Sequence, residues 1–404
     1  MTPNRLFALL FALLQFVSAL RAQSQSLASI ITNTLKPGPA RMAPLRRASV
    51  IFIACDGLAC GDLSCYGQTN FQTPNLDRLA AEGMRFTDYR AAADDLPRAQ
   101  AALMGGKNGA LGAGETNLAR RLQRAGYHTG LIGEWALGAQ PWTQGFDEFL
   151  GFISEPEARN YFSDFVWRYA PNSLYDESNK TLHAFVGRET IYQNPGGKQG
   201  GYLPDVLMNA ALNFVRVNQP DPANRFRPFF LLLNLPAPRT ATEGKDDFPV
   251  LTDAPFGDEP WPQAAKNRAA LLSRLDAGVG RLLEQLSKLG MTNNVAIFLT
   301  GAVAPPKFAD TNLNFLKLAG EVRGGTSMAH LRVPMIVRWP DHVPAGRVSQ
   351  QPWSAVDFAP TALQIAYAKP APGLTGVSML PALVGAPGTR PPALPNSVDL
   401  PARY

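Results

Sequence analysis

The segment Ser49–Cys55 places the strongest constraint on the fold of this chain, because it is almost continuously apolar. A strand with one face in water alternates polar and apolar residues, whereas a strand covered on both faces is apolar throughout. Ser49–Cys55 therefore predicts a buried strand of a parallel sheet. Further strands are predicted at Thr129–Gly133, Pro228–Asn234, Val295–Thr300 and Val333–Trp339.

Helical signals alternate with these strands. Thr73 is a suitable N-cap, Pro74 favours the first helical position, and Gly83 ends the predicted helix. Thr116 and Gly126 predict the start and end of a second helix. A longer third helix has a single apolar face, formed by Leu271, Leu275, Val279, Leu282 and Leu286. The alternation predicts an α/β fold, with a large, mostly parallel, doubly wound sheet flanked by helices.

The chain of 404 residues is long enough for one large domain. Residues 1–22 contain a basic residue, an apolar run and then small residues, which predicts a secretory signal and a secreted or periplasmic protein. The apolar run is shorter than the roughly 20 residues of a membrane span. Residues 23–45 are predicted to be a linker, 46–390 the α/β domain, and 391–404 a Pro-rich tail.

The net charge of +6 is spread along the chain and comes with no nucleic-acid recognition motif, so nucleic acid is not an expected partner. The three cysteines, Cys55, Cys60 and Cys65, match no common zinc pattern. Export would permit one disulfide and leave a thiol over. Packing as small apolar residues near a strand end is the favoured interpretation, and the disulfide state stays open.

Several short motifs follow one another in a fixed order. They include Gly61–Gly67, Thr73–Leu79, Ala125–Gly130, Gly145–Phe149, Leu331–Pro340, Asp357–Thr361 and Gly376–Pro381. Each is weak alone, but in this order and at these spacings the chain, from about Ala48 to Gly385, resembles the sulfatase family of the alkaline-phosphatase-like superfamily. The resemblance implies the α/β fold above, with the family's smaller C-terminal subdomain truncated.

The resemblance also implies a chemistry, the hydrolysis of sulfuric esters. In the family, a cysteine or serine is oxidised to formylglycine, whose hydrate is the nucleophile. A divalent cation, usually calcium, is bound by carboxylate and amide oxygens. Lysine, arginine and histidine side chains bind the sulfate and assist proton transfer.

Most of the positions that carry this chemistry are substituted. The family's pair of strand-end aspartates is Asp56 and Gly57, so Asp56 is the only retained metal ligand. The nucleophile position is Asp95, and the serine and arginine of the same turn are Arg98 and Ala99. An aspartate cannot become formylglycine, so covalent catalysis of the family type is lost.

The remaining positions follow the same trend. The family's lysine and histidine after the next strand are Glu134 and Ala136, and a further histidine is Arg239. The second metal-binding pair is Gly301 and Ala302, and a late lysine aligns with Arg323. With three of the four protein ligands of the metal missing, we expect a degenerate, inactive site that needs no cofactor.

Two sets of charged residues leave alternatives open. Asp56, Asp95 and Glu134 either form a remodelled metal or carboxylate site, or serve locally, with Asp56 capping the next turn and Asp95 capping a helix that begins near Pro97. The local roles are favoured, because nothing in the sequence directs the three carboxylates to one point.

The second set is Arg98, Arg239 and Arg323. They either form a basic pocket for a sulfated or phosphorylated ligand, or pair with Asp95 and Glu134 in a structural cluster of ion pairs.

Three hypotheses about function follow. The favoured one is a secreted pseudo-sulfatase that binds a sulfated glycan or another anionic ligand without cleaving it. The alternative is a divergent, metal-dependent hydrolase of sulfate or phosphate esters that uses Asp95, with the metal at Asp56 and Glu134. The third is a scaffold with no ligand in its cleft.

Overall fold

The computed structural model describes residues 47–112, 115–178, 180–241, 248–303, 331–369 and 372–385. These residues belong to one compact unit that begins at Arg47. The predicted signal, linker and tail, together with Arg323, lie outside the described residues.

A mixed β-sheet forms the centre of this unit. Its strands are β1 (Ser49–Cys55), β2 (Met84–Phe86), β4 (His128–Glu134), β5 (Glu148–Phe152), β6 (Phe165–Asp176), β7 (Thr181–Thr190), β8 (Phe229–Leu235), β9 (Val295–Gly301), β10 (Met335–Arg338) and β11 (Arg347–Ser349). Their order across the sheet is β11-β2-β10-β9-β1-β8-β4-β5-β6-β7. Two short strands, β3 (Tyr89–Arg90) and β12 (Trp353–Ser354), pair separately.

The middle of the sheet confirms the predicted parallel arrangement. The neighbouring strands β9, β1, β8, β4 and β5 all run parallel to one another. The margins differ, because β10 is antiparallel to both of its neighbours and β6 is antiparallel to β5 and β7. The fold is therefore α/β, as predicted, with a parallel centre and partly antiparallel edges.

Helices cover both faces of the sheet. They are α1 (Pro74–Ala81), α2 (Leu96–Gly105), α3 (Leu118–Arg124), α4 (Glu155–Ala158), α5 (Leu203–Val217), α6 (Gln263–Lys288), α7 (Phe358–Ile365) and α8 (Leu380–Leu383). In the part of the chain that the structure describes, no helix is both long and apolar enough to cross a membrane.

Strand β1 shows why this arrangement is stable. Ile51 and Ile53 pack in a core layer with α1, α5 and α6, whereas Val50 and Phe52 pack in a second layer with α2, α3 and α7. All four side chains are buried, and burial of one such side chain is worth about 1.5–3 kcal/mol. The absence of a polar face in this segment thus corresponds to a strand with a core on each side.

One prediction about helix caps is wrong, and the other is confirmed for the position of the cap but not for a cap hydrogen bond. The second helix is capped by Asn117, whose side chain accepts a hydrogen bond from the Arg120 backbone N–H at 3.0 Å, and not by Thr116. The first helix starts at Pro74 as predicted, but the Thr73 side chain makes no cap hydrogen bond to it. The Thr73 hydroxyl lies 3.1 Å from that of Ser64 instead, so it ties the helix to the preceding turn.

The β6–β7 hairpin was not predicted from the sequence. Strand β7 lies at the edge of the sheet and is largely exposed, so it has no buried face that would show as a hydrophobic period. Its contacts are made by charged and aromatic side chains, such as Arg188, which lies over the rings of Phe165 and Trp167.

The three cysteines are free thiols. Cys55 is fully buried in the core layer of α1, α5 and α6, and Cys65 packs against that layer. Burial raises the pKa of the Cys60 and Cys65 thiols to about 12, so both stay protonated at neutral pH. The favoured interpretation, cysteines that act as small apolar residues, is the one that the structure supports.

A buried arginine on α6 ties two loops at the carboxyl end of the sheet together. Arg268 donates hydrogen bonds to both carboxylate oxygens of Asp62, at 2.9 and 2.7 Å. It also donates to the carbonyl oxygens of Gly57, at 3.0 Å, and Pro238, at 2.9 Å. Since neither charged side chain is exposed, loss of one partner leaves the other uncompensated in the interior.

We expect Arg268→Met to lower the free energy of unfolding by about 3–5 kcal/mol, because it leaves the Asp62 carboxylate buried and unpaired. Urea titration followed by circular dichroism measures this change. Lys288→Met is the matched control, since the Lys288–Glu284 pair has side chains 74% and 62% exposed and is expected to contribute less than about 1 kcal/mol. Equal effects of the two substitutions would contradict the structural role of Arg268.

Candidate functional site

The residues singled out from the sequence meet at one edge of the sheet. Strands β9, β1, β8 and β4 are consecutive and parallel, so their carboxyl ends lie side by side. Asp56 follows β1, Glu134 ends β4, Arg239 follows β8, and Gly301 ends β9. This is the position at which ligands bind in open α/β sheets.

Asp56 is held by an arginine. Its carboxylate accepts a hydrogen bond from Arg239 Nη1 at 2.7 Å, and its side chain is only 2% exposed. The second terminal nitrogen of Arg239 donates to Glu155 on α4, which also accepts a hydrogen bond from Arg159 Nη2 at 2.6 Å. Burial raises the pKa of the Asp56 carboxyl, and the Arg239 guanidinium opposes this effect. Acidic and basic side chains therefore alternate in the order Asp56, Arg239, Glu155 and Arg159.

Glu134 lies in the same electrostatic environment. Its carbonyl oxygen accepts hydrogen bonds from Gln100 Nε2 at 2.8 Å and from Asn234 Nδ2 at 2.7 Å, which fixes the backbone. The side chain is buried, and its Oε1 has no hydrogen-bond partner among the described residues. Burial and the nearby charge of Asp56 raise the pKa of Glu134 to about 8. Glu134 is therefore largely neutral at pH 7, whereas the family's lysine at the aligned position carries a positive charge.

Asp95 has the local role that the sequence favoured. It is the N-cap of α2, where its Oδ1 accepts a hydrogen bond from the Arg98 backbone N–H at 2.8 Å. Its other oxygen pairs with the Arg98 guanidinium, which also donates to Asp94 at 2.7 Å. The Asp95 and Arg98 side chains are 39% and 58% exposed, so this pair lies at the surface.

Three family positions that should be polar form an apolar cluster instead. Ala99, Ala136 and Ala302 pack with Leu96 and Val303. By the resemblance set out in the sequence analysis, they align with the family's turn arginine, its histidine and a metal-binding amide. The cavity beside this cluster has a volume of about 20 Å³, which is room for about one water molecule. The sequence indicated each substitution separately, but not that the three alanines meet.

The two ends of this edge are also closed against a metal ion. A Cβ atom added at Gly301 would lie 2.5 Å from the Leu58 carbonyl oxygen and 3.0 Å from Cβ of Val333. The Ala302 backbone N–H donates to the Cys55 carbonyl oxygen at 2.9 Å, which joins the ends of β9 and β1. At position 301, the space for a ligand side chain is therefore taken by the Leu58 backbone and the Val333 side chain.

The donor set does not fit calcium. Calcium takes six to eight oxygen ligands, and Asp56 supplies the only carboxylate among the four family positions, which are Asp56, Gly57, Gly301 and Ala302. That carboxylate is already bonded to Arg239. Over the described ranges there is also no group of three or more histidine, cysteine, aspartate or glutamate side chains placed to hold a metal.

The structure sorts the predicted site residues into two groups. Asp56, Glu134 and Arg239 share one environment, whereas Asp95 and Arg98 pair with each other at the surface. Arg323 lies outside the described residues. Glu155 and Arg159 were missed, although their i, i+4 spacing is a signal for a helical ion pair.

We expect Asp95→Ala to lower the free energy of unfolding by about 1 kcal/mol, because it removes the N-cap of α2. Asp94→Ala is the control, since Asp94 contacts the same arginine at an exposed site without capping the helix, and its effect is expected to be smaller. Chemical denaturation measures both. If Asp95→Ala were neutral, the capping role would be wrong.

The raised pKa of Glu134 predicts how the free energy of unfolding of this chain changes with pH. The folded-state pKa is about 8 and the ordinary value is 4.5, so the folded state favours the protonated form and loses this stability as the pH rises through 8. Glu134→Gln lacks this titration. Relative to the unchanged chain, its free energy of unfolding should therefore increase between pH 5 and pH 9, by at most about 1.4 kcal/mol per pH unit.

The measurement is urea denaturation of both chains across this pH range. Asp56, Arg239, Glu155 and Arg159 face the same cluster and titrate or carry charge in both chains, so the difference isolates Glu134. Parallel pH profiles of the two chains would show that Glu134 has no raised pKa.

Comparison with known proteins places these observations in a family. Residues 48–368 match the family model described as Sulfatase. N-acetylgalactosamine-6-sulfatase of Rattus norvegicus is 27% identical over 402 residues, which cover 91% of this chain and 71% of the relative. Arylsulfatase A of Bos taurus is 28% identical over 381 residues, which cover 88% of this chain and 71% of the relative.

A solved structure agrees with the sequence relatives. The crystal structure of Ps i-CgsB in complex with k-i-k-neocarrahexaose has a TM-score of 0.64 and 26% sequence identity, and covers 84% of this chain and 76% of that chain. The resemblance first indicated by the ordered motifs is thus confirmed over most of the described residues. The chain belongs to the sulfatase family.

Proposed function

We propose that this chain is a pseudo-sulfatase, a family member that does not hydrolyse sulfuric esters. The observation that carries the proposal is the apolar cluster of Ala99, Ala136 and Ala302, which lies where the family's polar catalytic and metal-binding groups are expected. An apolar cluster can neither stabilise the charge of a sulfate group nor transfer a proton.

The nucleophile position supports the same proposal. Asp95 cannot be oxidised to formylglycine, and both of its oxygens are engaged with Arg98. The alternative function, an ester hydrolase that uses Asp95 with a metal at Asp56 and Glu134, requires these groups to converge. Asp95 instead serves as an exposed cap, and Asp56 is bonded to Arg239.

Charge and space in the cleft also disfavour a sulfate ester. The positive charges of Arg239 and Arg159 are matched by the negative charges of Asp56 and Glu155, and Glu134 is largely neutral at pH 7. The cavity of about 20 Å³ beside the apolar cluster, lined by Ala99, Asn234 and Ala302 among others, has room for about one water molecule and none for a sulfate group.

Binding without cleavage remains part of the proposal, with a restricted location. The relatives' names refer to sulfatases, which suggests a sulfated saccharide or another anionic ligand. Arg239 and Arg98 each pair with two carboxylates, but the Arg98 side chain is 58% exposed and that of Arg239 is 21% exposed. We therefore place any such contact at the cleft rim near Arg98. We also propose export, on the basis of the signal-like residues 1–22.

The proposal predicts no hydrolysis of an aryl sulfate or an aryl phosphate by the purified chain, with or without calcium. An active arylsulfatase serves as the positive control, and the Asp95→Ala variant is assayed in parallel. Turnover that Asp95→Ala abolishes would overturn the proposal and support the divergent hydrolase.

A binding titration separates the remaining possibilities. A sulfated oligosaccharide and its desulfated counterpart are titrated into the unchanged chain, the Arg98→Ala variant and the Arg239→Ala variant. The rim site predicts weak, salt-dependent binding that Arg98→Ala reduces. Saturable binding that only Arg239→Ala abolishes would place the ligand in the deeper pocket and contradict the rim assignment.

A further inference from the structure

We propose that the guanidinium of Arg239 takes the place of the family's divalent cation, as a built-in counter-cation for the cleft. This inference goes beyond the loss of hydrolysis, because it concerns what stabilises the site in the absence of the chemistry. It follows from the disagreement between the donor set of this chain and the needs of calcium.

First, the buried carboxylate of Asp56 requires a cation beside it. Asp56 directly follows the buried strand β1, and its side chain is 2% exposed, so it cannot be solvated by bulk water. An isolated buried carboxylate is strongly unfavourable unless a positive charge and hydrogen bonds compensate for it. A sequence that keeps Asp56 ionised at this position must therefore supply a positive charge beside it.

The second step is the geometry of the replacement. The planar fork of a guanidinium can donate to two carboxylates at once, which a point charge such as an ammonium group does less well. Arg239 uses its two terminal nitrogens in this way, one for Asp56 at 2.7 Å and the other for Glu155. It therefore joins two elements of the cleft, as a bridging metal ion would.

The third step is the positioning of Arg239. The Tyr161 hydroxyl contacts the carbonyl oxygens of Arg239 and Pro236, and Arg268 donates to the carbonyl oxygen of Pro238. Arg268 also donates to the carbonyl oxygen of Gly57, the residue after Asp56. The two ends of the ion pair are thus held by the same buried framework, so little conformational freedom is lost when the pair forms.

Fourth, Arg239 and a metal ion would compete for the same carboxylate, that of Asp56. Two cations beside one carboxylate repel each other, and Arg239 already fills the coordination position at Asp56. Without the guanidinium, Glu155 would keep its ion pair with Arg159, whereas Asp56 would lose the cation that is bonded to it. Removal of Arg239 should therefore leave the buried Asp56 carboxylate uncompensated.

The test compares the unchanged chain with two variants by thermal unfolding, in calcium and in a chelator. Calcium should not change the unfolding midpoint of the unchanged chain. Arg239→Gln should lower the midpoint by roughly 5 °C or more, because the buried Asp56 loses its counter-cation. The double variant Asp56→Asn/Arg239→Gln should lose less, because it leaves no buried charge at position 56.

Matched controls keep the result interpretable. Arg168→Gln removes one partner of an exposed ion pair with Glu189 and should change the midpoint little, with no response to calcium. If Arg239→Gln does not fold, Arg239→Lys keeps the charge without the fork and is expected to be intermediate. Calorimetric titration of the unchanged chain with calcium then provides a readout that needs no variant.

Three results would overturn the inference. They are stabilisation of the unchanged chain by calcium, calcium binding to it in the calorimeter, and an Arg239→Gln loss no larger than that of the double variant. The hydrolysis assay is independent of all three. Turnover without calcium would contradict the proposed function but not the role of Arg239 as counter-cation. Calcium binding without turnover would contradict the role of Arg239 but not the proposed function.

Discussion

The burial of Asp56 is the constraint on which the cleft depends. Strand β1 is covered on both faces by core layers, and it delivers this carboxylate to the edge of the sheet, where water has little access. The surrounding structure supplies the compensating charge through Arg239, and holds the loops after β1 and β8 together through Arg268. These contacts therefore hold the cleft together without a bound metal ion.

The substitutions in the cleft act together and not as independent losses. Small residues at Ala99, Ala136 and Ala302 allow apolar packing where an ester would have to enter. The backbone of Leu58 fills the space that a side chain at position 301 would need. A single polar substitution at either place would meet a clash or an apolar surface, which supports the proposal that this family fold carries an inactive site.

The sequence predicted the centre of the fold well and the cleft only in part. Continuous apolar runs such as Ser49–Cys55 have one stable solution, a strand between two layers, whereas the exposed strand β7 leaves no periodic signal. The cap at Asp95 is local and could be predicted. The Asp56–Arg239 pair joins residues 183 positions apart, so no local pattern predicts it. The second partner of Arg239 is Glu155 and not Glu134, which depends on tertiary packing.

The most direct test of the central claim is a crystal structure of this chain grown in excess calcium. The account predicts that the Arg239 guanidinium lies within hydrogen-bond distance of Asp56 and Glu155, with no ion between the carboxylates. Density for a calcium ion bonded to Asp56, with the Arg239 side chain displaced, would contradict it.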